Sequence, residues 1–165
     1  LLPLIQGAIE EVRDIYMGLR PSILDDLGII ATINWYCREF HNAYPDIRVE
    51  HSVDIEENEI PDGLKIVIFR VLQEGLENVA RHSQAGHVHV YLLKKNTDIE
   101  FSLQDDGVGF QPDEVGPVDH PGQGMGLSSM KERVELAGGH FALQSGSGSG
   151  TLVQTSYTLR EADCA

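Results

Sequence analysis

The sequence is short of cysteine, of positive charge and of long apolar runs, and each shortage excludes something. Only Cys37 and Cys164 occur among the 165 residues, one in a helical pattern and one in the terminal tail. They read as two free thiols of a reducing compartment rather than a structural disulfide. Lysine and arginine total 12 against 26 aspartates and glutamates, a net charge of −14. A phosphate-backbone binder draws its affinity mostly from Lys and Arg, so nucleic acid is not an expected partner. The same acidity disfavours anionic membrane surfaces. It leaves a nucleotide pocket open, because backbone N–H groups and a bound Mg²⁺ can carry phosphates locally. No apolar run approaches the length of a membrane span, and no signal peptide is visible.

What is present is enough for a core. Apolar residues make up 41% of the chain, which suits one domain of ordinary size. The chain opens on Leu1 rather than Met. That leads us to expect a piece of a longer protein, with any sensor or membrane anchor upstream. Leu4, Ala8, Val12, Ile15 and Leu19 repeat with helical spacing, and Pro21 interrupts them. A second helical stretch runs from about Leu27 to Ala43, and a short strand is expected near Ile47 to Val53. An acidic connector leads into a long helix from about Leu64 to His82, with Val67, Ile68, Val71, Leu72, Leu76 and Val79 on its apolar arc. Val88, Val90 and Leu92 alternate, as do Ile99, Phe101 and Leu103, so the two segments read as a hairpin. The proline- and glycine-rich stretch 110–125 reads as a long loop. A helix from about Leu127 to Ala137 stops at Gly138-Gly139. Strands near 140–145 and 151–159 flank a glycine-serine turn. This order predicts an α/β fold: a two-layer sandwich with a mixed sheet.

Four local patterns carry chemistry. On the long helix, Glu74, Asn78 and His82 are spaced i, i+4, i+8 at the edge of the apolar arc. A carboxylate and an amide oxygen are suitable hard ligands for Mg²⁺, although a polar flank of a core helix reads the same way. Asp105 continues the buried face of Ile99, Phe101 and Leu103, where a carboxylate needs a partner. The exocyclic amine of a purine is one, since an ionised Asp only accepts. Gly107 and Gly109 would let backbone approach a ring; an ordinary Asp-Gly turn is the plainer alternative. Gly122-Gln123-Gly124-Met125-Gly126-Leu127 opens a helix, where free N–H groups attract phosphate. It is neither a Walker A loop nor a Rossmann fingerprint, and flexible loop glycines also fit. Finally, Thr151 heads a face shared with Val153, Thr155, Tyr157 and Leu159, so it could point into the pocket of Asp105 or simply begin a hairpin strand.

Taken together and in this order, the four segments resemble the ATP-binding catalytic domain of two-component sensor histidine kinases, in the superfamily shared with gyrase, Hsp90 and MutL. Gln73 to His82 resembles the N box. Asp105-Asp106-Gly107-Val108-Gly109-Phe110 resembles the first glycine box, Gly122 to Leu127 the second, and Gly148-Ser149-Gly150-Thr151 the last glycine-threonine element. The resemblance covers roughly residues 10–160. Leu19-Arg20-Pro21 with Leu24, Asp25, Leu27 and Gly28, and Met130-Lys131-Glu132-Arg133-Val134, are similar to the nitrate-sensor-like and lipid-sensor-like subgroup.

The resemblance implies a mostly antiparallel mixed sheet with helices on one face, a Bergerat-type fold. It implies that 1–20 end the second dimerisation-hairpin helix, 21–30 form a junction, 31–160 form the ATP-binding domain with 110–125 as its lid, and 161–165 are a tail. ATP and Mg²⁺ are the implied cofactors. Asp105 is implied to accept from the adenine amino group, Gly107 and Gly109 to make room for the ring, and Thr151 to help bind it. Asn78 is implied to coordinate Mg²⁺, with Glu74 as the nearby catalytic acid/base or polarising group. Arg81 and His82 are implied to lie near the phosphates, and Gly122, Gly124, Met125, Gly126 and Leu127 to cradle them.

The implied partners of the parent protein are a response regulator, whose Asp receives the phosphoryl group, and a second copy joined through the incomplete hairpin. Its implied location is cytoplasmic, with membrane anchoring of the parent left open. No His precedes Leu19-Arg20-Pro21, so the phosphoacceptor is expected elsewhere and this chain is not expected to phosphorylate itself. A monomer or weak dimer follows. Arg38-Glu39-Phe40-His41-Asn42 superficially resembles the acceptor motif but lies beyond the junction, and His41 reads as a surface histidine. His87 and His89 fall on the exposed face of a strand without a nearby Cys, a poor metal site. Two rivals stay open: a serine-protein kinase or ATPase of the same superfamily, like an anti-sigma-factor kinase, and a pseudokinase scaffold.

Overall fold

A computed structural model describes residues 22–111 and 125–159, the side chain of Met125 excepted. The elements are α1 (Ser22–Ala43), β1 (Arg48–Asp54), a 3-10 turn (Glu57–Glu59), α2 (Asp62–Asn78) continuing into a π turn (Val79–Ser83), β2 (His87–Lys95), β3 (Asp98–Asp105), α3 (Met125–Leu136), β4 (His140–Ser145) and β5 (Thr151–Thr158). The five strands form one sheet in the order β1-β2-β3-β5-β4. β1 and β2 are parallel, with α2 as the crossover between them, and the other three pairs are antiparallel. This is the expected mixed, mostly antiparallel sheet.

The alternation of each strand decides which face is covered. Val88, Val90, Leu92, Ile99, Phe101, Leu103, Val153 and Tyr157 are all buried in one cluster. The same cluster takes Ile29, Ile33, Tyr36 and Phe40 from α1, Ile68, Leu72 and Leu76 from α2, and Met130 and Val134 from α3. On the other side of β2 and β3, His87, Tyr91 and Gln104 are exposed. The helices therefore form one layer on one face. Tyr36 meets Phe69 edge to face, with centroids 5.4 Å apart, tying α1 to α2. A Cβ at Gly75 would press into Leu103, so the missing side chain lets α2 close on β3.

Helix α1 starts at Ser22, straight after Pro21, rather than near Leu27, and it breaks at Gly28. Gly28 has φ 84°, and a Cβ there would fall on the Glu57 carboxylate. That carboxylate accepts the N–H groups of Ile29 (2.9 Å) and Ile30 (3.0 Å), and Lys65 Nζ pairs with it at 3.1 Å. The helix thus restarts at Ile29 on a cap supplied from the 3-10 turn, which satisfies two donors that a helix start leaves open. The 21–30 segment read as a junction contains this break.

Cys37 is a free thiol, and burial pushes its pKa up to about 12. Cys164, the helix expected over 4–19 and the tail lie outside the described residues. Among the described residues no helix is long and apolar enough to cross a membrane. His41 is exposed near the end of α1, its Nδ1 3.0 Å from the Ile47 carbonyl oxygen. Among the described residues no group of three metal-ligating side chains gathers around His87, His89 or elsewhere.

Candidate functional site

The strand register puts three polar side chains in one row at the end of the sheet. Asp105 pairs with Thr151, and Thr151 pairs with Ser145. All three continue the covered faces of their strands. Asp105 is only 5% exposed. The N–H of Gly107 donates to Asp105 Oδ1 at 2.8 Å, and the Thr151 N–H also donates to this carboxylate. Burial pushes the Asp105 carboxyl above its ordinary value, the two N–H donors pull it back, and the charge of Asp106 adds to the rise. No basic side chain among the described residues contributes to holding it charged.

The glycines around Asp105 are fixed by close backbone approach. A Cβ at Gly107 would strike the Ser83 carbonyl and the Asp105 carboxylate. The loop is laced in by Val108 N–H to Ser83 O (2.8 Å) and Gly148 N–H to Val108 O (2.6 Å). A Cβ at Gly109 would strike the carbonyls of Gly146 and Gly150. Asp106 turns outward. Its Oδ1 accepts the N–H groups of Gly86 and His87, each at 2.9 Å, and His87 Nδ1 lies 3.2 Å from its Oδ2. These donors hold the Asp106 carboxyl below its ordinary value.

The helices carry a second group of candidate residues, the rim. Glu74, half-buried on α2, reaches the first turn of α3, for a Cβ at Gly126 would land on its carboxylate. A helix start offers unpaired N–H groups and the positive end of the dipole. Asn78 ends α2, and its Nδ2 is buried without a hydrogen-bond partner among the described residues. Arg81 and His82 are exposed on the π turn. The expected α-helix to His82 is corrected here: Ser83 Oγ donates to the Val79 carbonyl at 2.9 Å and accepts from Ala85 N–H at 3.0 Å, while Gln84 turns left-handed at φ 55°. Such a hydroxyl competes for the helix ladder. The π turn thus replaces the α-helical turn that the spacing of Asn78 and His82 assumed.

Of the remaining expected site residues, Leu127 is half-buried on α3 and packs on the core. Gly122 and Gly124 lie outside the described residues, as does most of the 110–125 segment, and of Met125 only the backbone is described. Sequence reasoning passed over two polar groups that hold the glycine loop. Ser83 joins the π turn to the glycine loop. Ser145 joins the glycine loop to β4 and β5, and the alternation Phe141, Leu143, Ser145 was the signal for its face.

The donor set defines what the site can hold. The floor is a buried acceptor, suited to an N–H donor on a flat ring. The rim combines a carboxylate, an amide with an orphaned atom, and a helix start, which suits phosphate oxygens and a hard cation such as Mg²⁺.

Comparison with known proteins agrees with this chemistry. Residues 63–161 match the family model described as histidine kinase-, DNA gyrase B- and HSP90-like ATPase. The chain is 31% identical over 153 residues to the signal transduction histidine-protein kinase/phosphatase DegS of Brevibacillus brevis, covering 93% of this chain and 38% of that protein. It is 34% identical to the oxygen sensor histidine kinase NreB of Staphylococcus carnosus, over 88% of this chain and 40% of that one. It is also 34% identical to the sensor histidine kinase LiaS of Bacillus subtilis, over 87% and 38%. The chain thus spans about two fifths of these relatives. In fold, it resembles the histidine kinase domain of a blue-light activated histidine kinase from Erythrobacter litoralis (TM-score 0.63, 20% identity, 78% of this chain and 60% of that one). It likewise resembles the mycobacterial sensor histidine kinase MprB (TM-score 0.59, 22% identity, 78% and 93%). With the family model covering the glycine loop, the π turn and the Asp105 floor, the chain belongs to the histidine kinase-, DNA gyrase B- and HSP90-like ATPase family.

Proposed function

We propose that this chain is the catalytic ATP-binding part of a sensor histidine kinase that passes the γ-phosphoryl group of ATP to a His outside residues 1–165 and from there to an Asp of a response regulator. The observation that carries the reading is Asp105: a buried carboxylate at the end of an alternating strand, short of a cation, beside glycines that let backbone crowd in. The names of the relatives support the histidine kinase over the other branches of the family, and so does the stretch Leu19-Arg20-Pro21 to Gly28.

In this reading Asp105 accepts from the adenine amino group and Thr151 lines the same floor. Gly107 and Gly109 keep the ring's approach free of side chains. Asn78 would hold Mg²⁺, which would supply charge neutralisation for the phosphates. Glu74 polarises the reacting end, Arg81 and His82 flank the phosphates, and the 122–127 segment gives its N–H groups to phosphate oxygens. Catalysis is then mainly positioning and electrostatics. Residues 31–160 act as the ATP-binding unit, with 110–125 as its lid, and 1–20 belong to a dimerisation hairpin completed in a longer cytoplasmic protein.

Calorimetric titration with ATP, with and without Mg²⁺, tests this. Wild type binds Mg-ATP. Asp105→Asn loses a charge-assisted hydrogen bond of about 1.5–3 kcal/mol, at least about tenfold in affinity. A wild type that binds no ATP overturns the reading and favours a scaffold. Addition of a separate acceptor hairpin distinguishes phospho-His from phospho-Ser.

A further inference from the structure

We propose that Ser145 is a positioning residue for nucleotide selectivity: it fixes the direction of the Thr151 hydroxyl proton and so makes the pocket floor an acceptor-only surface. The proposal rests on the reading of this site as an ATP site. Three groups converge on Ser145 Oγ: the Phe110 N–H at 2.9 Å, the Gly150 carbonyl at 3.0 Å and Thr151 Oγ1 at 3.0 Å. Counting protons settles who donates. An N–H only donates, a carbonyl only accepts, and Ser145 has a single proton. Gly150 is buried, so its carbonyl oxygen cannot turn to water for a donor and takes the Ser145 proton. Phe110 N–H then fills one lone pair of Ser145 and the Thr151 O–H fills the other.

The consequence lies one strand away. With its proton turned toward Ser145, Thr151 Oγ1 has only lone pairs left for a ligand. Directly opposite in the register stands Asp105, which when ionised also only accepts. Two adjacent acceptors and no donor welcome an exocyclic amine and repel an exocyclic carbonyl. A 6-amino purine fits, whereas a 6-oxo purine leaves facing lone pairs unpaired, the kind of mismatch by which polar sites discriminate strongly. The same Ser145 oxygen also holds Phe110, so the segment leaving the glycine loop departs from a point tied to Thr151.

The test is titration of the chain with Mg-ATP and Mg-ITP, in wild type, Ser145→Ala and Ser145→Thr. Ser145→Ala frees the Thr151 proton. ATP affinity should fall by about three- to tenfold, and the ATP-to-ITP affinity ratio should shrink by a comparable factor as Thr151 donates to the 6-oxo group. Ser145→Thr keeps a hydroxyl in place and should restore both values. A Ser145→Ala protein that weakens both nucleotides equally, leaving the ratio unmoved, overturns the proposal, because a purely structural serine predicts that result. Should near-UV circular dichroism show Ser145→Ala unfolded, Thr151→Val removes the oriented hydroxyl itself. It must narrow the same ratio, and an unchanged ratio again refutes the role. Wild type that binds neither nucleotide removes the ATP reading and this proposal with it, whereas normal ATP binding with an unmoved ratio removes only the role of Ser145.

Discussion

Asp105 and Asp106 are neighbours in sequence that serve two different sides of the sheet. On the inner side, Asp105 is buried, and its pKa is driven up by that burial. On the outer side, Asp106 has a side chain 52% exposed, and its pKa is driven down by the N–H groups of Gly86 and His87 and by the His87 ring. The inner carboxylate has two N–H donors and room for more on its oxygens. The outer one spends both oxygens on the chain, stitching the end of β3 to the start of β2. The contrast separates two uses of one side chain. A carboxylate whose acceptor capacity the fold consumes is structural, and one buried with capacity left over has room for a further donor.

The backbone around the inner side can be broken first, with the largest effect. Gly150 and Gly148 both sit in the β4–β5 turn at positive φ, 71° and 76°. A Cβ at Gly150 would collide with the Asp105 carbonyl, whereas at Gly148 it would meet nothing within 4 Å. Gly148→Ala should therefore cost only the left-handed backbone penalty, about 1 kcal/mol. Gly150→Ala adds displacement of β3 at Asp105 and should cost about 3 kcal/mol or more, with loss of nucleotide binding. Urea denaturation of both variants measures the difference. Equal costs would mean that the inner side is held by turn conformation alone and not by close approach.

The same contrast explains what could be read in the sequence. Period-two alternation placed Asp105 and Thr151 on the covered face, because a one-residue slip would have buried Glu100 and Gln104 instead of Phe101 and Leu103. The β2–β3 hairpin and the final strand pair followed from apolar segments of the right length joined by short turns, whereas the pairing of β3 with β5 did not. The break at Gly28 was not legible, since it depends on Glu57, 29 residues away in sequence, acting as a cap. The π turn was hidden too. Val79 continues the helical arc, and only the Ser83 hydroxyl, through a bond to the Val79 carbonyl, shows why the helix widens. Long-range polar pairing of this kind leaves no period. Glu74 and the start of α3 were singled out by residue type, but their meeting at Gly126 is a product of α2–α3 packing.

A smaller effect should come from the outer side. Asp106→Ala removes a charged acceptor from two backbone N–H groups. Hydrogen bonds to a charged group contribute more than neutral ones, but here half the side chain is in water, which screens the gain. The expected cost is about 1 kcal/mol in urea denaturation, with Mg-ATP affinity within about threefold of wild type by calorimetry. Asp105→Asn should do the reverse, with a large loss of affinity and little loss of stability. A variant at Asp106 that abolished binding would show that the two sides are one unit, and that the outer strap positions the glycine loop for the ligand.

The pH dependence of stability sharpens the comparison furthest, at the smallest amplitude. Both carboxylates start from an ordinary value of 3.8. Asp106, with a depressed folded pKa, contributes stability that is present above 3.8 and is lost as pH falls through the folded value. Asp105 has the opposite sign. Its folded pKa is raised, so the native state holds the proton more tightly, and stability falls as pH rises from 3.8 through the folded value. Chemical denaturation between pH 2.5 and 6 (on the order of the window these shifts define), with wild type, Asp105→Asn and Asp106→Ala, separates the two. The stability gap between wild type and Asp106→Ala should widen with rising pH through that range, while wild type should lose ground to Asp105→Asn over the upper part of it. The same slope for both differences would mean that the inner carboxylate is not desolvated, and that its spare acceptor capacity is filled by water rather than held for a ligand.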